Sequence, residues 1–287
     1  MMRVAITGAS GRLGRALVEE FRGFADVRGW SRPDYDLDDR GAAARVVGLR
    51  PDVIVHSAAW TDVDACAREP QLAARRNGTA VGELARLSAA AGCRLVVVST
   101  NEVFSGDHAG SPYRRTDAVA PINAYGATKL MGEIEALEAF ASRPGALLIV
   151  RTAWLYGPPG NDFPNKVVAA ALRARERVEP LRLVRDETGS PSATPDVAQG
   201  IRELILNEAA GVRHVVNAGH ATRADWAVEV LGAAGIDIAT ELVPAALWRR
   251  DSTPPSWGVL ASDVALRPWQ VATREYVHSH VRLPERA

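Results

Sequence analysis

Short apolar runs alternate with longer amphipathic stretches through the first half of the chain. Strand-like runs fall at Val4–Thr7, Val27–Trp30, Val53–Ser57, Leu95–Ser99 and Leu147–Arg151. Between them, Arg12–Phe21, Asp39–Leu49, Gln71–Ala91 and Tyr125–Phe140 repeat apolar residues at helical spacing. The strand runs are continuously apolar, as befits strands buried on both faces. Such strands separated by helices predict an α/β fold with a doubly wound parallel sheet and right-handed crossovers.

The rhythm changes after Trp154. Gly157-Pro158-Pro159-Gly160 is a loop by its breakers. A helix (Asn165–Arg177), a strand (Leu181–Arg185), a helix (Asp196–Asn207), a strand (His214–Ala218) and a helix near Arg223–Ala234 follow. Residues 1–154 are read as the main domain and 155–287 mainly as a smaller lobe over the sheet's carboxyl edge. The boundary is soft, because strands between 181 and 218 can return to the main sheet.

Composition narrows the class. The chain has 287 residues, nearly half of them apolar, with 34 basic and 34 acidic side chains. That balance argues against nucleic acid or an anionic membrane as partner. No apolar run is long enough to span a bilayer, and a strand starting at Arg3 leaves no room for a signal peptide. The two cysteines, Cys66 and Cys93, lack metal or disulfide spacing, so a cytoplasmic protein is expected.

The first strand runs into Gly8-Ala9-Ser10-Gly11-Arg12-Leu13-Gly14, where the next helix begins. Glycines let the backbone turn close to a pyrophosphate, and the helix start offers free N–H groups and its positive dipole end. This is the order that a Rossmann-type dinucleotide site needs, although a glycine-rich turn of another α/β domain shares it. The second strand ends Trp30-Ser31-Arg32 with no acid at its tip. Ser31 and Arg32 suit a ribose 2′-phosphate, Arg12 offers a second cation, and Asp36 and Leu37 can close the adenine end. NADP(H) is favoured, with NAD(H) left open.

Ser99 and Thr100 end the fourth strand, and Tyr125 and Lys129 stand at i and i+4 on the next long helix, on one face. A ketone reductase needs a proton donor at the carbonyl oxygen. A phenol is a poor one at neutral pH unless a nearby ammonium makes it more acidic. Tyr125 as donor, Lys129 as that ammonium and Thr100 orienting the carbonyl make a complete set. Asn77, behind Lys129, and Ser99 are counted among the cofactor contacts, together with Tyr125 and Lys129 themselves. His56 and the remaining tryptophans are read as packing residues.

These stretches, with Pro51–Asp64, Ser99–Gly106, Asn123–Lys129, Arg151–Gly157, Gly160–Phe163 and Asp186–Pro191, make the chain resemble an extended short-chain dehydrogenase/reductase of the dTDP-4-dehydrorhamnose reductase family. The resemblance implies NADPH-dependent reduction of the 4-keto group of a nucleotide-activated deoxysugar by Thr100, Tyr125 and Lys129. It adds Ala58, Ala59 and Thr61 to the cofactor contacts, and Trp154, Asn161 and Phe163 to the substrate contacts. One stretch departs from the family: Ser99-Thr100-Asn101-Glu102 stands where Ser-Thr-Asp-Tyr is usual. Residues 101 and 102 would face the substrate. Glu102 resembles the dehydratase pattern Thr-Asp-Glu, but Asn101 cannot act as an acid. A dehydratase or epimerase with retained NAD, and a non-catalytic nucleotide-bound regulatory subunit, remain as alternatives. No metal site is carried over, and a homodimer is left open.

Overall fold

The computed structural model describes residues 1–108 and 110–281. Strand β1 (Arg3–Thr7) leads to helix α1 (Arg12–Phe21), β2 (Asp26–Trp30) to α2 (Ala42–Gly48), and β3 (Val53–His56) to α3 (Val63–Arg68) and α4 (Pro70–Ala74). A π turn, Arg75–Thr79, joins α4 to α5 (Ala80–Ala91). Then come β4 (Arg94–Thr100), α6 (Ala124–Ala139) and β5 (Leu147–Thr152). The later elements are β6 (Leu155–Tyr156), α7 (Phe163–Glu176), β7 (Leu181–Val184), β8 (Thr188–Gly189), β9 (Ser192–Ala193), α8 (Thr194–Leu206) and β10 (Gly211–His214). They continue with β11 (Ala221–Thr222), α9 (Arg223–Ala233), β12 (Thr240–Val243), β13 (Trp257–Gly258) and α10 (Trp269–His280).

Six strands form one sheet in the order β2-β1-β3-β4-β5-β10, and every pair is parallel. Val53–His56 and Leu147–Thr152 are buried at every position, so both faces are covered. One face carries a core of Val4, Leu17, Phe21, Val150, Ile201 and Ile205, from β1, α1, β5 and α8. The other carries Val46, Ile54, Leu84, Leu95 and Phe140 beneath α2, α5 and α6. A separate core around Tyr156, Trp226, Val230 and Tyr276 builds the smaller lobe. Strand order reverses between β1 and β3, and ligands bind beyond the carboxyl ends at such a switch point.

Several elements differ from the pattern reading. The helix expected over 39–49 starts at Ala42, because the Asp39 carboxylate accepts the Gly41 N–H and holds the chain in a turn. The helix expected over 71–91 is interrupted by the π turn, which brings Asn77 under the loop after β3. Of the later strands, 211–214 returns to the large sheet beside β5, whereas 181–184 pairs with β12 outside it. The strand expected over 214–218 ends at His214. The chain then runs out buried through Val215 and Val216 to meet Pro268 at Ala218. Among the described residues, no helix is long and apolar enough to cross a membrane.

Candidate active site

The glycine loop is a matter of backbone clearance. Gly8 has φ of +70°, and a Cβ there would lie 2.7 Å from the Ala58 nitrogen. A Cβ on Gly14 would lie 2.0 Å from the Gly8 oxygen. The loop therefore closes tightly, with the Gly11 N–H donating to Gly8 O at 2.9 Å. Gly11 caps α1 without any side chain, so the first-turn N–H groups are left for an anion. These features fit a dinucleotide pyrophosphate.

Two hollows meet at this loop. The larger, about 530 Å³, runs over the β1, β4 and β5 ends toward the small lobe. The smaller, about 260 Å³, runs over the end of β2. Ser31, Arg32, Asp36, Leu37 and Ala58 line the smaller one, and Gly8, Gly11 and Ala59 line both. Ser10 lies at the smaller hollow, and its N–H donates to Ser31 Oγ at 2.8 Å. Leu13, Gly14 and Thr61 line the larger one. Among the described residues Arg32 makes no ion pair, so its charge is available to a phosphate.

Three expected cofactor contacts, Arg12, Asn77 and Ser99, have protein partners of their own. Arg12 lines the larger hollow, not the smaller one that Ser31 and Arg32 line. Its guanidinium donates to Gly157 O and Gly160 O, both at 3.0 Å, and ties the glycine loop to the other lobe. Asn77 does not line the cleft. It is buried, accepts the Trp60 N–H at 2.8 Å and donates to Trp60 O at 3.0 Å, so it fixes that loop from below. Ser99 lines the cleft but donates its hydroxyl to Glu133 Oε1 at 2.5 Å. Arg76 was not anticipated. It emerges from the π turn into the smaller hollow, bonded to Asp38 and lying over the Trp60 ring. The basic pair Arg75-Arg76 was its only trace in the sequence.

Thr100, Tyr125 and Lys129 all line the larger hollow. Asn123 caps α6 by accepting the Gly126 N–H at 2.8 Å, which sets the helix start and hence Tyr125. Lys129 is buried, and its Nζ donates to Val98 O at 2.8 Å. Burial lowers the Lys129 pKa to about 8, against the pull of Glu133. Burial raises the Tyr125 phenol above its ordinary value, helped by the charges of Glu102 and Cys66, while the Thr100 hydroxyl opposes them. The expectation that Lys129 makes this phenol more acidic is therefore not met. The ammonium is drawn to the Val98 carbonyl, and its field falls instead on buried His56, whose pKa drops to about 3 mainly through burial.

Asn101, Glu102, Trp154, Asn161 and Phe163 line the same hollow. Trp154 adopts φ of 42°, a strained backbone for a bulky residue. Its ring packs where a Cβ on Gly189 would stand, and stacks on Trp226 at 5.8 Å between centroids. Arg223 lies 3.6 Å above the Trp154 ring and bonds Glu187 through Nε at 3.4 Å. Burial lowers its pKa to about 10. Arg223 and Lys166 also line the cleft. Neither carried a motif, since helical periodicity alone does not single out a charge facing a cavity.

A parallel sheet with a glycine loop at its switch point, opening on a Tyr–Lys pair whose lysine is buried, defines a Rossmann-type dinucleotide-binding oxidoreductase. The chain belongs to the family described as RmlD substrate binding domain, whose model matches residues 2–277. It is 37% identical over 290 residues to a dTDP-4-dehydrorhamnose reductase of Streptomyces griseus, covering 95% of this chain and 92% of that one. It is 40% identical over 227 residues to a dTDP-4-keto-6-deoxy-D-glucose reductase of Streptomyces niveus, covering 78% and 76%. The structure of a dTDP-4-dehydrorhamnose reductase from Bacillus anthracis in complex with NADP superposes with a TM-score of 0.87 at 30% identity, covering 96% of this chain and 99% of that one.

Proposed function

We propose that this protein is a short-chain-type reductase that uses NADPH to reduce the 4-keto group of a dTDP-linked deoxysugar. The carrying observation is that Thr100, Tyr125 and Lys129 share one cleft with the glycine loop. Two relatives named as dTDP-keto-sugar reductases and one relative crystallised with NADP support the substrate and cofactor. NADPH, when bound, supplies the hydride. The first turn of α1 would hold its pyrophosphate, and Ser31 and Arg32 its 2′-phosphate.

The chain's own residues handle the ketone oxygen. Thr100 and Tyr125 converge from β4 and α6, donate hydrogen bonds to it, and Tyr125 delivers the proton. Lys129, at the same cleft with its Nζ on Val98 O, would reach the ribose hydroxyls of the cofactor. Trp154 and Phe163 wall the sugar end, and Asn161 offers a neutral polar group there. The same reading sets the protein in the cytoplasm, in keeping with two free, buried cysteines.

Tyr125→Phe tests this. The variant should lose turnover by about 100-fold or more, the scale of a general acid, while its Kd for NADPH stays within about twofold, as expected when an interaction made only in the transition state is removed. Unchanged turnover with dTDP-keto sugars would reject the mechanism.

A further inference from the structure

The cleft contains a second acid that the reduction does not use. Glu102 follows Thr100 by two residues, and its N–H donates to Thr100 Oγ1 at 3.2 Å. Its backbone is pressed against the start of α6, where a Cβ on Gly126 would stand 2.0 Å from the Glu102 oxygen. The residue beside Gly126 is Tyr125. Glu102 is thus locked next to both groups that hold the ketone oxygen. Its carboxyl lines the cleft, and Oε2 accepts a hydrogen bond from Asn123 Nδ2 at 2.7 Å. Among the described residues Oε1 has no hydrogen-bond donor. The surrounding charges are Arg223, Glu187 and Arg250, with Glu187 held by both arginines.

We propose that Glu102 is a base for the C–H groups beside the ketone, and that the protein enolises its keto-sugar substrate as well as reducing it. This rests on the reductase reading above. A carbon next to a carbonyl is acidic when the carbonyl oxygen is held by hydrogen-bond donors, and Thr100 and Tyr125 are such donors. The step balances without any redox partner. Glu102 Oε1 takes the proton, the C–H electron pair forms the enol double bond, and the carbonyl π pair moves to oxygen, where Tyr125 and Thr100 stabilise it. Return of the proton to the same carbon restores the ketone with exchange of hydrogen, and return to the opposite face inverts that carbon. Burial raises the Glu102 pKa, which strengthens it as a base.

The test uses the full chain with NADP+, which fills the cofactor site but brings no hydride. dTDP-4-keto-6-deoxyglucose is incubated in D2O, and deuterium at the carbons flanking the ketone is followed by NMR against a protein-free blank. Wild type should incorporate deuterium well above the blank, and Glu102→Gln should do so at least about 100-fold more slowly. The same wild-type sample, given NADPH, reports reduction. Reduction without exchange would overturn the base role and leave the reductase reading standing. Exchange undiminished in Glu102→Gln would also overturn it. Neither reduction nor exchange would overturn both.

Discussion

Lys129 carries the sharpest pH signature. Its ammonium is formed below about pH 8 and lost above it, whereas an exposed lysine stays charged to beyond pH 10. If the charged form serves the ketone, kcat/KM for reduction should fall as pH rises through about 8 in the free enzyme. The stability effect has the opposite sign. Between about pH 8 and the unfolded value of 10.5, the unfolded chain binds the extra proton, so this group's contribution to stability rises with pH. A rate profile that is flat to pH 10 would remove Lys129's charge from the mechanism. At this scale the sequence was informative about residue types and weak about directions. Tyr125 and Lys129 were singled out by their spacing together with their place after a strand ending in Ser99-Thr100 and a glycine loop upstream. That Arg12 would turn to Gly157 and Gly160, and Ser99 to Glu133, was not, because each depends on a partner far along the chain.

Helix α6 does two jobs one turn apart. Lys129 faces the cleft, and Glu133 faces the sheet, where it accepts bonds from Arg151 Nε at 3.0 Å and Nη2 at 2.6 Å as well as from Ser99. The pair is buried, at 5% and 2% side-chain exposure, so neither charge has water to fall back on. Glu133→Ala should destabilise the protein by about 3–5 kcal/mol, since it strands the Arg151 charge. Urea unfolding would measure this, and a loss under about 1 kcal/mol would mean that water reaches Arg151. The π turn before α5 has a comparable local purpose. Apolar periodicity continues through it, so the sequence reads as one helix, yet Asn77 needs the wider turn to bond both polar groups of the Trp60 backbone.

Across the whole molecule, the large sheet depends on chain that lies far downstream. β10 supplies the hydrogen-bonding partner along one side of β5, and α8 buries Val197, Ile201 and Ile205 against the α1 face. A fragment of residues 1–154 would expose that edge and that apolar face together. It should fail to give a cooperative unfolding transition by circular dichroism, whereas the full chain should give one. A fragment that melts cooperatively would show that the first 154 residues form a self-sufficient domain.

The order of strands and helices, the glycine loop and the Tyr–Lys face were fixed by local rules, which need only neighbours three or four residues away. The free end of α1 and the apolar strands belong to that group, and so they could be read directly, whereas the clearance at Gly8 is set by Ala58 across the sheet. Long-range pairing decided the rest: which late strand joins the sheet, where Arg12 and Ser99 spend their donors, and which charges face Glu102. Burial and partner position set those outcomes, and both are properties of packed chain rather than of spacing.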